Sequence, residues 1–259
     1  MKNKVKKILL GLGIIAVIVS VSAVYYVRQQ YVVPILMYHY IDHRDKESKL
    51  HVSPESFERQ MHFLRKNKYN VIALDKIVRY IKEDMAIPRN TVSITFDDGY
   101  DNNYTSAFPI LKKYHISATI FIISDKVGKR EYLSWEQIQE MSAAGIDIGC
   151  HSRTHPNLKG LDSDALRAEI SGSKKTIEGH INKEVKIFSY PAGSFDRAAI
   201  DMVKEAGYIG ACTTTTSRSY PDNDIYALKR QKITRTSDNL VVFWAESSGY
   251  YLPLKERKD

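Results

Sequence analysis

Short apolar runs alternate with amphipathic segments along most of this chain. The apolar runs are rich in β-branched and aromatic residues, which is typical of buried strands, whereas the intervening segments repeat apolar residues every three or four positions, as helices do. The pattern predicts strands at 32–39, 69–73, 92–96, 118–123, 146–150, 185–190, 208–214 and 229–234. It predicts a helix starting at residue 54, and further helices at 75–81, 105–114, 134–144, 164–180, 196–207 and 240–246.

Helix-capping residues support several of these boundaries. Ser53 before a proline is a typical helix start, and Ser134 with Gln137 has the pattern of a capping box. Asp75 and Asp196 are predicted to cap their helices. Because strands and helices alternate without an internal repeat or a linker, we expect one α/β domain built on a parallel sheet, of a size that suits a barrel.

The N-terminal segment has the composition of a membrane anchor. Four lysines precede an uncharged run of 20 residues at positions 8–27, which is long enough to span a bilayer. The basic flank places the N-terminus in the cytoplasm and the rest of the chain outside. Small residues at 21–23 could form a signal-peptidase site, but the run is longer than that of a usual signal peptide. We therefore interpret residues 1–30 as a signal anchor or signal peptide and favour the anchor; cleavage would make the protein secreted.

Charge and cysteine content narrow the function classes. The net charge is +8, but outside residues 1–30 the chain has 33 basic and 30 acidic residues, so no nucleic-acid partner is indicated. Cys150 and Cys212 both lie in apolar, strand-like segments without the spacing of a zinc cluster. We expect two buried free thiols rather than a disulfide.

Polar clusters follow the ends of three predicted strands. Asp97 and Asp98 come directly after one strand. His151 and His155 follow a second strand, and a turn at Pro191 follows a third. In α/β barrels the C-terminal ends of the parallel strands carry the active site, so we expect these residues to converge.

The residue types in these clusters suit a divalent metal ion. Asp98, His151 and His155 would supply one oxygen and two nitrogen ligands, as in catalytic zinc sites, although cobalt, nickel or manganese would also suit them. Asp97 would then accept a proton from the attacking water, provided that the turn at Gly99 splays the two carboxylates. This arrangement predicts a metal-dependent hydrolase. The simpler interpretation is that the carboxylates mark a turn and the histidines lie on the surface.

Two of the motifs resemble those of a known family. The segments Thr95-Phe-Asp-Asp-Gly99 and His151-Ser-Arg-Thr-His155 resemble the first two motifs of the polysaccharide deacetylases, carbohydrate esterase family 4, with its NodB-homology domain. The resemblance covers about 92–234 and, more loosely, the segment from Val33. It implies metal-dependent removal of N-acetyl groups from N-acetylglucosamine polymers, with release of acetate.

The resemblance also implies an architecture and residue roles. The fold would be a deformed (β/α) barrel of the NodB-homology type, preceded by the membrane-spanning segment. Residues 31–90 would be the N-terminal part of the catalytic domain, and 91–259 would be the deacetylase domain. The motif positions give Asp97 as the base and the same three metal ligands, Asp98, His151 and His155.

The third motif departs from the family pattern. The family commonly has Phe-Arg-Pro-Pro-Tyr-Gly, whereas this chain has Phe188-Ser-Tyr-Pro-Ala-Gly193. Ser189 replaces the arginine that usually tunes the base, and Arg230 is a candidate substitute. Ala192 replaces the tyrosine whose backbone N–H helps bind the oxyanion, but an alanine N–H beside Pro191 can still donate.

The general acid and the sugar contacts are less well defined. The family's last motif usually supplies a histidine as general acid, but no histidine follows His180. His39, in the segment Leu36-Met-Tyr-His39, is the best candidate for protonating the amine, and it could equally be a structural or substrate contact. This opening resembles the members that deacetylate poly-N-acetylglucosamine in biofilms, and similar envelope enzymes. Tyr100 and Tyr190 adjoin the motifs and are predicted to offer stacking faces to sugar rings.

Taken together, the sequence predicts a monomeric zinc-dependent deacetylase of a cell-wall or biofilm amino-sugar polymer. It would be attached to the cell membrane through residues 8–27, with its catalytic domain outside the cytoplasm. An O-acetyl glycan esterase is an alternative, because it would use the same site with less help from a general acid. A non-catalytic glycan-binding relative is another, although binding alone would not require the spare carboxylate of Asp97.

Overall fold

An eight-stranded sheet forms the centre of the fold, and its strands pair in parallel. The computed structural model describes residues 2–29, 31–43, 50–214 and 224–250. In these ranges the strands are β1 Ile35–Tyr38, β2 Tyr40–Ile41, β3 His51–Val52, β4 Asn70–Val71, β5 Thr91–Phe96, β6 Thr119–Ile122, β7 Asp147–Cys150, β8 Ile187–Ser189, β9 Gly210–Cys212 and β10 Gln231–Lys232. Of these, β2 and β3 pair with each other in a separate small sheet.

The main sheet curves into an incomplete barrel. Its strand order is β10-β1-β5-β6-β7-β8-β9, and β4 pairs with β5. Among the residues that the structure describes, one isolated bridge joins Cys212, the last residue of β9, to Leu228, which lies just before β10. The bridge therefore brings the two ends of the strand order together. This parallel architecture confirms the predicted α/β, barrel-like fold, but not the membrane-spanning segment predicted to precede it.

Helices alternate with the strands, as the sequence pattern predicts. They are α1 Lys2–Gln29, α2 Pro54–Lys66, α3 Leu74–Lys82, α4 Phe108–Tyr114, α5 Trp135–Ala143, α6 Ser163–Arg167, α7 Ser173–Ile181, α8 Arg197–Glu205 and α9 Leu240–Ser247. The apolar side chains of α1 between residues 10 and 26 are exposed. Over the part of the chain that is described, none of the helices combines the length and the apolar character needed to cross a membrane.

Three of the four predicted caps are confirmed. Ser53 and Asp196 accept hydrogen bonds from backbone N–H groups in the first turns of α2 and α8, and Ser134 forms its capping box with Gln137. The prediction for Asp75 is wrong: α3 begins after Ala73, which makes no side-chain cap, and Asp75 lies inside the first turn. An acidic residue there still interacts favourably with the positive end of the helix dipole.

Two predicted helices contain a π-helical turn. The segment predicted as helix 105–114 is a π-turn, Asn103–Ala107, that continues into α4. The predicted helix 164–180 begins at Ser163, and a π-turn, Ala168–Gly172, separates α6 from α7. Apolar periodicity cannot distinguish such a turn from regular helix, because only one hydrogen-bond register changes.

The barrel interior is closed at one end by α3. Apolar residues from four strands pack with three residues of this helix; they are Ile35, Phe121, Ile187 and Cys212, with Leu74, Ile77 and Val78. Leu74 N–H lies 3.4 Å from Thr119 Oγ1, at the start of β6, so α3 covers the N-terminal ends of the strands. The polar clusters predicted from the sequence lie at the opposite, C-terminal ends of the strands. Cys150 and Cys212 are both buried free thiols, as expected.

Candidate active site

Asp97 and Asp98 follow β5 and have different environments. Asp97 is 1% exposed, and its N–H donates to the Tyr38 carbonyl at 3.0 Å. Asp98 has φ 74° and Gly99 has φ 71°, so the chain turns sharply and the two carboxylates are splayed. A Cβ on Gly99 would lie 2.9 Å from Ile122 Cδ1, the end of a flexible side chain, so the left-handed conformation rather than space favours glycine here.

Asp97 forms a two-pronged ion pair with Arg230. Nη1 and Nη2 of Arg230 each donate to one carboxylate oxygen at 2.7 Å, and both side chains are buried. The guanidinium also donates to Ser189 Oγ at 2.9 Å and to Thr95 Oγ1 and the Thr213 carbonyl at 3.2 Å. All five guanidinium contacts are thus to residues in, or directly after, β5, β8 and β9. Arg230 therefore binds Asp97, the predicted base, as the family arginine would from position 189.

The ion pair sets the ionisation of Asp97. Burial alone would raise the pKa of this carboxyl, but the Arg230 guanidinium, with smaller contributions from His151 and His39, holds it well below its usual range. Asp97 is therefore a carboxylate throughout the physiological pH range, and it can accept a proton.

The two histidines of the second cluster approach Asp98. His151 is 2% exposed, and its Nε2 lies 3.5 Å from Asp98 Oδ1 and 3.9 Å from Asp97 Oδ2. His155 Nε2 lies 3.6 Å from Asp98 Oδ1. His151 Nδ1 is 2.7 Å from the Ser189 carbonyl, and because a carbonyl only accepts, Nδ1 carries the proton. The lone pair of His151 is therefore on Nε2, the atom that faces Asp98.

The three predicted ligands fit a divalent metal ion. One ligand atom from each of Asp98, His151 and His155 lies within 4.8 Å of the other two. Burial and the neighbouring His151 lower the pKa of His155, against an opposing effect of Asp98, so its imidazole is neutral at neutral pH. Two imidazole nitrogens and one carboxylate oxygen form a donor set that suits catalytic zinc.

The site is built on strained turns. Asp98, Ser152, His155 and Ala192 have φ values of 74°, 64°, 68° and 51°, in the left-handed region. Such a conformation costs a non-glycine residue on the order of 1–3 kcal/mol and persists only where neighbouring contacts enforce it. Strain of this kind is typical of functional sites.

The Pro191 turn presents Ala192 to solvent. Pro191 is buried and Ala192 is exposed. Gly193 has φ 68°, its carbonyl accepts from Thr213 Oγ1 at 3.0 Å, and a Cβ on it would lie 2.1 Å from Thr214 Oγ1. The turn is thus held tightly against the end of β9, which fixes the direction of the Ala192 N–H.

His39 lies directly after β1, near both carboxylates. Burial lowers the pKa of its imidazole, while Asp97 and Asp98 act in the opposite direction. Its Nδ1 is buried and meets no hydrogen-bond partner among the residues that the structure describes. The carbonyl of His39 accepts from Asn103 Nδ2 at 2.9 Å, so the loop that carries this imidazole is tied to the turn after Asp97-Asp98.

The predicted stacking role does not fit the environment of Tyr190, whereas for Tyr100 it stays a prediction. Tyr190 is 0% exposed, and its ring packs on Phe195 with centroids 4.3 Å apart. Tyr100 is only partly buried, but its ring lies 3.8 Å from the ring of Tyr40 and 5.2 Å from that of Tyr132. Tyr190 is therefore a packing group, and no face of its ring is open to a sugar.

Several residues with a role in the site's geometry have no signal in the sequence. Asn103 ties down the His39 loop, and Glu169 accepts hydrogen bonds from the loop between His151 and His155. Both are ordinary polar residues of helical segments. Arg230, in contrast, was predicted as a candidate substitute for the arginine missing at Ser189, and it does pair with Asp97.

Comparison with known proteins identifies relatives over most of the chain. The polysaccharide deacetylase family model matches residues 85–211. YxkH of Bacillus subtilis (strain 168), a protein named as a polysaccharide deacetylase, is 34% identical over 201 residues, covering 78% of this chain and 71% of that protein. Poly-beta-1,6-N-acetyl-D-glucosamine N-deacetylase of Staphylococcus epidermidis is 30% identical over 208 residues, covering 74% of this chain and 72% of that protein.

A solved structure supports the same relationship. The Streptococcus pyogenes deacetylase PplD, in complex with acetate, superposes with a TM-score of 0.75 at 26% sequence identity. The match covers 82% of this chain and 99% of that one.

Proposed function

This chain belongs to the polysaccharide deacetylase family, and we propose that it removes N-acetyl groups from a polysaccharide containing N-acetylglucosamine, with release of acetate. The observation that carries this proposal is the ionised, buried carboxylate of Asp97, paired with Arg230 beside three potential metal ligands. A site for binding alone would have no use for a charged group that is costly to bury. The activity is therefore hydrolytic.

Asp98, His151 and His155 are the residues that would hold a divalent metal, and zinc suits their donor set. When bound, such an ion supplies a Lewis acid that activates water and polarises a carbonyl. Asp97 accepts the proton that the attacking water loses. Arg230 keeps Asp97 ionised and fixes the direction of its oxygens.

The remaining roles concern the tetrahedral stage of the reaction. The Ala192 N–H donates to the oxygen that becomes negative when the acetamide carbonyl is attacked, as in oxyanion holes built from backbone groups. His39 delivers a proton to the amine as it leaves, because an unprotonated amine is a poor leaving group. Its unpartnered buried Nδ1 supports a role in contact with substrate.

The substrate class is supported by relatives. The Staphylococcus epidermidis relative is named for poly-beta-1,6-N-acetyl-D-glucosamine, and the segment around His39 resembles the enzymes of that group. We therefore propose an extracellular or cell-wall amino-sugar polymer. The uncharged run at residues 8–27 with its basic flank supports attachment to the cell membrane, with the catalytic domain outside.

The direct test measures acetate release by the full-length chain in detergent, loaded with zinc. Substrates are β-1,6-linked N-acetylglucosamine oligomers, chitin oligomers, peptidoglycan and acetylated xylan, with Asp97→Asn as the control. Release from an N-acetylated substrate that is lost in Asp97→Asn supports the proposal. Release from acetylated xylan alone would indicate an O-acetyl esterase. Glycan binding without release, unchanged by Asp97→Asn, would indicate a binding protein.

A further inference from the structure

We infer that Glu169 is a positioning residue for the metal site, because its carboxylate holds the loop that carries two of the three ligands. The inference rests on the proposed metal site formed by Asp98, His151 and His155. Glu169 itself is remote in sequence and lies in the π-turn between α6 and α7.

The carboxylate of Glu169 binds the loop through three hydrogen bonds. Oε2 accepts from the N–H groups of Arg153 and Thr154, both at 2.9 Å. Oε1 accepts from Thr154 Oγ1 at 2.7 Å. Arg153 and Thr154 are exposed, whereas Glu169 is only 9% exposed. A buried carboxylate therefore fixes the backbone of two surface residues. Among the described residues, Glu169 forms no salt bridge, and these three donors satisfy its charge.

The loop needs such an external support. Both Ser152 and His155 have left-handed backbone conformations, and within the loop the His155 N–H donates to Ser152 Oγ at 3.0 Å. The two residues between them make the bonds to Glu169. Asp125 also binds the loop, through its N–H to the Arg153 carbonyl at 3.0 Å and through its carboxylate to Arg153 Nε at 3.1 Å. Because a strained loop relaxes when its contacts are removed, and within the described part of the chain Glu169 alone holds Thr154, the position of the neighbouring His155 imidazole depends on the Glu169 carboxylate. His151 depends on it less, since its ring is held by the Ser189 carbonyl.

The π-turn is firmly tied to the strand that precedes the loop. Ser173 Oγ donates to the Glu169 carbonyl at 2.6 Å and lies 2.9 Å from Cys150 Sγ. Cys150 immediately precedes His151. Glu169 is therefore anchored to the end of β7 through its backbone and to the loop through its side chain. π-turns occur frequently at functional sites, where they redirect a side chain.

The experiment measures zinc affinity directly, by competition with a chromophoric chelator, on the full-length apo chain in detergent. Glu169→Ala is expected to weaken zinc binding about 10- to 100-fold, as is usual when a group that orients a metal ligand is removed. Glu169→Gln should bind within about threefold of the parent, because its amide oxygen can accept both backbone N–H bonds while its NH₂ donates to Thr154 Oγ1.

Glu169→Asp separates positioning from charge. It keeps the negative charge but is one methylene shorter, so it cannot reach the three donors together. Positioning predicts that Glu169→Asp binds zinc more weakly than Glu169→Gln. The reverse order would mean that Glu169 acts through its charge, and it would overturn the inference. Both variants change a single side chain by little, so they remain informative even if Glu169→Ala does not fold.

A matched control lies on the same helical segment. Glu178 accepts from the Val185 N–H at 2.8 Å and pairs with Lys174 at 2.7 Å, away from the metal ligands. Glu178→Ala should lower the unfolding temperature without changing zinc affinity. If Glu178→Ala weakens zinc binding as much as Glu169→Ala, or if Glu169→Ala binds zinc like the parent, Glu169 has only a structural role. If the Co²⁺ absorption spectrum of Glu169→Ala indicates one nitrogen ligand fewer than that of the parent, the result supports displacement of His155, because the His151 ring stays bonded to the Ser189 carbonyl. Loss of deacetylase activity with unchanged zinc affinity would likewise contradict positioning, and it would leave the proposed function intact.

Discussion

The buried ion pair between Asp97 and Arg230 decides which protonation state the site holds. Each side chain alone would be costly to bury, because a desolvated charge without a partner is unfavourable by several kcal/mol. Together they satisfy each other through two hydrogen bonds of 2.7 Å. The same contact that stabilises the fold therefore keeps the proposed base ionised.

Replacing Arg230 with methionine should expose this dependence. Burial of Asp97 would no longer be offset, so the pKa of Asp97 should rise and the free energy of unfolding should fall by about 3–5 kcal/mol at neutral pH. In the parent, the lowered pKa contributes stability that is present above the unfolded-state value of about 3.9 and is lost as the pH falls through the folded-state value. The difference between parent and variant, measured by urea unfolding, should therefore shrink as the pH falls through the raised pKa of Asp97 in the variant, and it should go on shrinking below about pH 4.

Asp97→Asn in the Arg230→Met background is the control for that prediction. The amide removes the unpaired charge, so the double variant should recover part of the lost stability. A difference between parent and Arg230→Met that does not change with pH would mean that the loss comes from packing around Arg230 rather than from the charge of Asp97.

If His39 is the general acid, the pH dependence of kcat should show it on the alkaline side. A general acid must be protonated, and burial lowers the pKa of His39 below its usual value. kcat should therefore decline as the pH rises through a value below about 6.5, the ordinary histidine pKa. In His39→Asn, kcat should be about 10²- to 10⁴-fold lower, and this decline should be absent. His62→Asn, on α2, is the control and should keep the parent profile. An unchanged alkaline limb in His39→Asn would exclude His39 as the proton donor.

At the scale of elements, the functional groups lie on the turns that follow β1, β5, β7 and β8. These positions could be predicted from the sequence, because strand pattern and the parallel topology place the ends of strands together. Asp97, Asp98, His151 and His155 converge as that argument requires.

The contacts that tune these turns could be predicted only in part. Arg230, 133 residues from Asp97, was a candidate because Ser189 stands where the family has an arginine. Glu169, 16 residues from Arg153, had no such signal, because sequence spacing does not indicate which side chain fills a buried position. For Tyr190 the sequence predicted a contact that the structure does not have. Its position beside a motif suggested a contact with sugar, but its ring is buried in the core. The local pattern of apolar residues determines which helices and strands form. Packing between those elements determines which side chains contact each other in the site.

The turn after β8 provides a test at the element scale. Gly193→Ala introduces a Cβ that would lie 2.1 Å from Thr214 Oγ1, at a residue whose φ is 68°. The turn must shift, which should misdirect the Ala192 N–H and lower kcat about 10²- to 10³-fold, as loss of an oxyanion donor does. Zinc affinity should be unchanged, because the ligands lie on other turns. Steady-state kinetics and chelator competition measure the two effects separately.

Gly160→Ala is the matched control for this substitution. Gly160 also has a left-handed conformation, φ 83°, but no atom lies within 4 Å of the Cβ that alanine would add. It should lose stability of about 1 kcal/mol from conformational strain and keep its kcat. Equal loss of kcat in the two variants would mean that backbone strain, rather than the contact with Thr214, accounts for the effect.

At the scale of the whole molecule, closure of the sheet and completion of the site depend on the same segment. Leu228 bridges to the end of β9 and Gln231 pairs with Leu36 of β1, so the segment between them spans the gap in the barrel. Arg230 lies in this segment. The chain that joins the two edges of the sheet therefore also delivers the guanidinium to Asp97, so an opened barrel would have an unpaired base.

Metal binding should stabilise the whole domain in a way that depends on pH. Ligands from the turns after β5 and β7 would be linked by one ion, and an ion present at a hundred times its Kd adds about 2.7 kcal/mol to the free energy of unfolding. Zinc should therefore raise the unfolding temperature of the chelator-treated chain. Because protons compete for the histidine nitrogens, this increase should diminish as the pH falls below about 6. Scanning calorimetry with and without zinc measures it, and His155→Ala should show little increase at any pH. An increase of equal size in His155→Ala would place the stabilising ion elsewhere in the protein.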